Sequence, residues 1–348
     1  MQTKAYAAYD STEPLKSFNF ERRDLKATDV HIDIAYCGVC HSDIHMAHND
    51  WGMTVYPMVP GHEIIGRVKQ VGTEVTNFKV GELVGVGCMV DSCRQCQPCK
   101  DHLEQHCEKG MTMTYGSPDA HMPGSFTQGG YSSQIVVDKD FVLKVSEKLD
   151  IKALAPLLCA GITTYSPLRQ WNIKAGDKVG VIGLGGLGHM GVKFAAAMGA
   201  HLVMNTTSPA KGEDAKRLGA AEVLVSSDEK QMQAQAGSFD FLLDTIPVAH
   251  SFDPYIPLLK FGKTLATVGA TPSDMHTMGL VFGRKIITGS LIGGIKETQE
   301  MLDFCAEHNI VSDVELINIQ DINQAYERVM KSDVKYRFVI DMQSLQQA

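Results

Sequence analysis

Cys93, Cys96, Cys99 and Cys107 follow the spacing C-x2-C-x2-C-x7-C and place four of the chain's nine cysteines within fifteen residues. Four thiolates this close offer the all-sulfur tetrahedron that suits zinc. The bacterial ferredoxin run is the rival pattern, but it brings its fourth cysteine after three residues and follows it with Pro. Here the gap is seven and Glu108 follows. A four-cysteine zinc site is coordinatively closed, so it leaves no position for a substrate. This lobe is expected to brace a loop, and the chemistry must come from elsewhere.

Quieter candidates lie in three separate stretches. "CGVCHSDIH" runs from Cys37 to His45, "PGHE" contains Gly61, His62 and Glu63, and "LLCAGITTY" holds Cys159 in an apolar setting. Taken singly, Cys159 reads as a small core residue and His62 as a turn or surface residue. Taken together, Cys40, His62 and Cys159 make a two-cysteine, one-histidine set with an open fourth position, as in catalytic zinc sites. Cys40 and Cys159 stand 119 positions apart, so only the fold can bring them together.

A third signal is "VGVIGLGGLGHMGVKFAAAMGA", which holds G-x-G-x-x-G at Gly183, Gly185 and Gly188. The run follows an apolar strand and opens a helix, the context that a dinucleotide site requires. Such glycines allow a tight turn and a close backbone approach to pyrophosphate at the positive helix end. The next strand ends in Asn205-Thr206-Thr207-Ser208, followed by Lys211, with no carboxylate for a ribose 2′-hydroxyl. Hydroxyls and a cation suit a 2′-phosphate, so NADP(H) is expected over NAD(H). The plainer alternative is a solvated Lys211 on a helix surface.

The elements that must position these residues fall into two rhythms. Up to about residue 150, short β-like runs such as "HIDIAY", "IIGRVKQVG" and "YSSQIVVD" alternate with Gly- and Cys-rich loops. From about Ile151 onward strands alternate with helices: "KVGVIG", a helix with Leu187, Met190, Phe194 and Met198 on one face, "AHLVMNTT", a polar helix to about Leu218, "AEVLVSS", "FDFLLDTI" and "KTLATVGA". That alternation predicts a parallel sheet with right-handed crossovers. The tail returns to mixed structure. "ETQEMLDFCAEHN" and "DINQAYERVM" read as amphipathic helices, the second with Asp321 as N-cap, and "YRFVIDM" reads as a strand. This tail is expected to fold back onto the first domain.

The chain has 348 residues, enough for two domains. It is 44% hydrophobic and 21% charged, ordinary values for a globular enzyme. A net charge of −8 argues against nucleic-acid or anionic-membrane partners. No run is long enough to span a bilayer, and "MQTKAYAAYDSTEP" lacks a signal-peptide core. A cytoplasmic location is expected, where clustered thiols hold metal more often than they form disulfides.

The ordered set "YCGVCHSDIH", "YPMVPGHEIIGRV", "GVGCMVDSC", "CQPCKDHLEQHC", "GGYS", "APLLCAGITTYSPL", "VGVIGLGGLGHMGVKFAAAMGA", "GSLIGG" and "VKYRFVIDM" resembles the zinc-dependent medium-chain alcohol dehydrogenases, most of all their cinnamyl-alcohol-dehydrogenase-type branch. The resemblance covers nearly the whole chain. It implies an α/β protein with a GroES-like, β-rich catalytic domain (1–152 and 292–348) and a Rossmann domain with a doubly wound parallel sheet (153–291). It implies two zinc ions per chain. Cys40, His62 and Cys159 would hold the catalytic ion, with Glu63 able to approach it, and Cys93, Cys96, Cys99 and Cys107 would hold the structural one. Ser42 and His45 match the family's proton relay, and Asp43 the carboxylate that orients a ligand histidine. Gly183, Gly185, Gly186, Leu187, Gly188, Thr163 and Arg337 match cofactor contacts. Thr206, Thr207 and Lys211 stand where the branch binds the 2′-phosphate, although it more often has serines there. Trp51 resembles a pocket wall for an apolar or aromatic substrate, with core packing as the alternative.

The implied activity is reversible, NADP(H)-linked hydride transfer between primary alcohols and aldehydes. A polyol or secondary-alcohol dehydrogenase is the enzymatic alternative, and a non-catalytic nucleotide sensor the alternative outside enzymes. A small-molecule alcohol or aldehyde is the expected partner, with a homodimer by analogy.

Overall fold

The computed structural model describes residues 1–269 and 271–347, so Ala270, the last residue of "KTLATVGA", lies outside the described residues. The chain divides into two compact units, Met1–Cys159 with Gly293–Ala348, and Ala160–Ile292.

The first unit is built on a seven-stranded sheet. Its order is Val314–Asn318, Arg337–Asp341, Asp29–Gly38, Ile64–Val71, Leu83–Val86 and Leu143–Lys144, with Gln134–Asp138 also pairing Asp29–Gly38. Val30, Ile32 and Ile34 bury one face of the central strand Asp29–Gly38, and Asp29 and His31 are buried on the other, although Asp33 there is exposed. The tail does fold back: Arg337–Asp341 runs antiparallel to it, with Val339 opposite Gly38 and Ile340 opposite Cys37. Of "YSSQIVVD", only Gln134–Asp138 is strand; Tyr131 instead bonds Pro60 in a turn.

The register of this sheet sets up the site. Cys37 pairs with Ile64, and Ile64 pairs with Val86. The segments just beyond these residues therefore leave the sheet at one end. They carry Cys40 after the first strand, His62 and Glu63 before the second, and Cys88 after the third.

The second unit holds a six-stranded, all-parallel sheet in the order Glu222–Val225, His201–Thr206, Lys178–Ile182, Phe239–Asp244, Leu259–Thr267, Ile286–Gly289. This is the doubly wound order, with its switch point beside the Lys178–Ile182 strand. Val203, Leu224, Phe239, Leu242 and Leu265 are buried in one core cluster, as expected of strands covered on both faces. Helix Gly188–Ala197 buries Met190 and Phe194 fully.

Two local expectations change. The polar helix before Leu218 begins as a 3-10 turn, Pro209–Lys211, and becomes α-helical only over Gly212–Leu218, because Pro209 lacks the amide hydrogen and sits at the opening. Asp321 precedes helix Ile322–Met330 at the N-cap position, but its side chain makes no capping bond. Its backbone lies at φ −89 and ψ 2 rather than in the extended region that aims a cap inward.

Candidate active site

Cys93, Cys96, Cys99 and Cys107 bring their sulfurs within 4.8 Å of one another. The closest approaches are 3.4 Å for Cys96–Cys99, 3.9 Å for Cys93–Cys99 and 4.0 Å for Cys96–Cys107. A disulfide needs about 2.05 Å, whereas zinc–sulfur bonds of about 2.3 Å in a tetrahedron set sulfurs about 3.8 Å apart. The lobe supplies its own backbone donors: Cys93 N and Cys96 N donate to Cys107 Sγ and Cys93 Sγ at 3.4 Å, and Glu108 N to Cys96 Sγ at 3.5 Å. Backbone N–H groups of Gln95 and Cys96 pull the Cys93 thiol down to about 6. The donor set fits one structural zinc ion. Glu104, from the same lobe, accepts a hydrogen bond from Ile295 N at 3.0 Å and so covers the start of helix Ile295–His308.

The second constellation joins Cys40, His62, Glu63 and Cys159, one ligand atom from each lying within 4.8 Å of the others. Cys40 Sγ and Cys159 Sγ are 4.0 Å apart. Cys40 caps helix His41–Ala47, and Cys159 follows the 3-10 turn Ala155–Leu158. Asp43 is fully buried and organises the group. Its Oδ1 accepts from His62 Nδ1 at 3.0 Å and Gly61 N at 3.0 Å, and its Oδ2 from Cys40 N at 2.9 Å. With Nδ1 engaged, His62 presents Nε2 to the pocket. Glu63 pairs with Arg337 through Oε1, while its buried Oε2 has no hydrogen-bond partner among the described residues.

Three buried ionisable groups, the half-buried Cys40 thiol and an orphaned carboxylate oxygen are costly to hold together without a cation. Zinc removes that cost, and two sulfurs with one imidazole are its ligand types. The proton distribution points the same way. The hydrogen bond from Cys159 lowers Cys40 well below the thiol range, and the same bond raises Cys159. Burial opposes a charged His62, but the Asp43 carboxylate outweighs it and raises His62 well above the histidine range. Burial lifts Glu63 to about 7 against the pull of Arg337. The thiol and imidazole protons are those a metal ion displaces on binding.

His45 lies one turn along the same helix, its Nδ1 2.7 Å from Asp50 Oδ2 and its side chain 34% exposed. Ser42 is part-buried on the first turn. Trp51 is 48% exposed, with its ring 5.3 Å from that of His45, so it is not a core residue. Arg337 is buried; its Nη2 and Nε donate to Val39 O at 2.8 and 3.2 Å, and Nη2 also binds Glu63.

In the second unit the three motif glycines differ in surroundings. Gly183 has φ +90, a β-carbon on Gly188 would meet Gly183 O at 1.9 Å, and one on Gly185 would meet nothing within 4 Å. Turn, helix packing and open approach are the three tasks of a pyrophosphate-binding turn. Gly186 and Leu187 complete the turn before the helix. Lys211 Nζ donates to Leu184 O at 3.1 Å, which ties the end of the second strand to this turn. Thr207 is exposed beside it, whereas Thr206 is buried and accepts from Ser208 N at 3.2 Å. Thr163 is buried in helix Ala160–Gln170.

Sequence reasoning passed over three residues here. Cys88 Sγ lies 3.6 Å from Leu158 O and perturbs both Cys159 and His62. The Tyr115 ring lies 5.7 Å from the His62 ring at a tilt of 46°, and Tyr131 OH approaches Asp43 Oδ2 at 3.4 Å. Cys88 and Tyr131 sit in "GVGC" and "GGYS", but nothing in those motifs shows that they face Cys159 and Asp43.

Residues 26–147 match the alcohol dehydrogenase GroES-like domain family, and residues 186–307 the zinc-binding dehydrogenase family. The chain is 54% identical to aldehyde reductase YahK of Escherichia coli, over 99% of each sequence. It is 52% identical to mannitol dehydrogenase of Petroselinum crispum, over 94% of this chain and 98% of that one. The crystal structure of CAD from Helicobacter pylori complexed with NADP(H) superposes with a TM-score of 0.92 at 43% identity, covering 99% of both chains.

Proposed function

The chain belongs to the zinc-dependent medium-chain alcohol dehydrogenases, as an NADP(H)-linked alcohol dehydrogenase and aldehyde reductase of the cinnamyl-alcohol-dehydrogenase type, and we propose that it acts on primary alcohols and aldehydes with apolar or aromatic bodies. The observation that carries the site assignment is the convergence of Cys40, His62, Glu63 and Cys159 on one point, with Glu63 Oε2 unpartnered among the described residues.

Cys40, His62 and Cys159 would hold the catalytic zinc, and Cys93, Cys96, Cys99 and Cys107 the structural one. Gly183, Gly185, Gly186, Leu187 and Gly188 would hold the pyrophosphate, Thr163 and Arg337 would contact the cofactor, and Thr206, Thr207 and Lys211 would favour a 2′-phosphate. When bound, zinc supplies Lewis acidity toward a carbonyl oxygen and NADP(H) supplies or accepts the hydride. The protein's own residues place and protonate. Asp43 holds the proton on His62 Nδ1, which fixes the tautomer and aims Nε2. Arg337 holds Glu63 by one oxygen and leaves the other in reserve. Ser42 Oγ gives its proton to the substrate oxygen during reduction. His45, anchored by Asp50 and open to water, restores it from solvent. Trp51 offers an exposed aromatic wall beside His45.

The likeness to mannitol dehydrogenase supports a second reading, in which polyols are the substrates. NADPH consumption with benzaldehyde and cinnamaldehyde, beside a panel of ketones and sugars, separates the two. Turnover of the aromatic aldehydes is expected; turnover of sugars alone would transfer the assignment to polyols.

We further place the working form in the cytoplasm as a homodimer. In the second unit Met278, Val281 and Phe282 are 67%, 73% and 80% exposed, next to the edge strand Ile286–Gly289. Exposed apolar side chains beside an unpaired sheet edge call for a cover, and a second copy supplies one. Light scattering should give twice the mass of 38.0 kDa. No helix among the described residues is long and apolar enough to cross a membrane.

A further inference from the structure

Arg22 follows strand Lys16–Glu21 and is not itself a metal ligand. Its guanidinium donates four hydrogen bonds. Nε reaches Gln134 O at 2.6 Å, Nη1 reaches Gln128 O at 2.9 Å, and Nη2 reaches both Gly129 O and Ser132 Oγ at 2.9 Å. Every acceptor is neutral, and among the described residues no carboxylate oxygen lies within ion-pair distance. The cation also covers the Phe20 ring at 4.9 Å. Asp119 favours the cation only from beyond ion-pair distance, and a largely buried cation so weakly countered is a poor stabiliser of a fold. What it achieves is geometrical: three carbonyl oxygens that would repel one another converge on a single fork of donors.

The segment gathered in this way is keyed to the strand entry that carries His62. Gly129 N donates to Val59 O at 2.7 Å, Tyr131 N to Pro60 O at 3.0 Å and Gly130 N to Gly61 O at 2.8 Å. Gln128 Oε1 accepts from Val59 N at 2.7 Å. The fit has no slack, since a β-carbon on Gly129 would meet Pro60 O at 2.2 Å. Gly61 N and His62 Nδ1 then share Asp43 Oδ1, both at 3.0 Å. A shift of the 128–134 segment is therefore passed directly to the backbone that aims His62.

We propose that Arg22 is a positioning residue for the catalytic metal site, acting on His62 through the 128–134 segment. The proposal rests on the reading of His62 as a ligand of the catalytic zinc, and a zinc count of two in the unmodified protein tests that reading separately. Arg22 also lines a solvent-open cavity of about 380 Å³ with Phe18, Phe20 and Tyr56, so its removal leaves a place that guanidinium ion can enter.

The test uses Arg22→Ala in the full-length, zinc-loaded protein, and follows zinc release to a chromogenic chelator together with steady-state kinetics. Loss of the catalytic zinc should quicken about ten-fold and kcat should fall, while release from the four-cysteine lobe and the affinity for NADPH stay as they were. Millimolar guanidinium should restore part of kcat. Arg22→Lys, which keeps the charge but not the fork, should fall between, and it serves alone where Arg22→Ala does not fold. Unchanged release and kcat would overturn the proposal. So would equal loosening of both zinc sites with no guanidinium rescue, because that is the signature of a merely structural residue.

Discussion

The two cysteine-bearing sites solve the same coordination problem in opposite ways. The lobe from Cys93 to Cys107 draws four ligands from one short stretch and supports them with its own backbone N–H groups. The other site draws its ligands from two neighbouring strand ends on one side of the sheet and one distant turn, and relies on Asp43 and Arg337 to aim them. The first is chemically closed and braces its surroundings, including the start of helix Ile295–His308 through Glu104. The second keeps two sulfurs, one imidazole and a reserve carboxylate around a position where a substrate oxygen can come. Local ligands make a brace, and ligands held by tertiary structure make a site whose geometry can be tuned.

That contrast can be broken at several points. The largest effect should follow His62→Ala, which should lower kcat/KM by about 10³-fold or more, while NADPH still binds in a fluorescence titration. Retained turnover would show that the reaction lies elsewhere. Next, Cys96→Ser should release the structural zinc and lower the melting temperature, equivalent to roughly 4 kcal/mol or more. Below its transition the variant should keep the normal kcat; a selective loss of kcat with stability intact would invert the roles of the two sites. Asp43→Asn should weaken the catalytic zinc by about 10–100-fold in chelator competition and leave the lobe's zinc unaffected. The smallest effect belongs to the nucleotide site. Thr207→Ala with Lys211→Ala should weaken NADPH by about ten-fold, or about 1.4 kcal/mol. Equal weakening of NADH would remove these residues from 2′-phosphate recognition.

Legibility in the sequence follows the same division. The lobe could be read directly because its spacing alone fixes its geometry. The Gly-rich turn could be read because strand, glycines and helix are consecutive, and its three glycines do occupy distinct environments. The catalytic ligands gave only weak local signals, and it was the ordered family resemblance that united Cys40, His62 and Cys159. Their meeting depends on strand register, Cys37 against Ile64 against Val86, which hydrophobic alternation does not specify between distant strands. The pairing of Arg337 with Glu63 spans 274 positions and gives no sequence pattern at all. Arg22 is still more hidden, since its partners are mostly backbone carbonyls. Asp321 shows the converse: a sound local N-cap signal left unused because the backbone turns into the helix with another geometry.

The most direct test is a zinc count made on the same sample as a turnover assay for Cys40→Ser. One zinc ion per chain, normal NADPH binding and no reduction of cinnamaldehyde are predicted. Two zinc ions with turnover intact would contradict the assignment of the chemistry to the dispersed site.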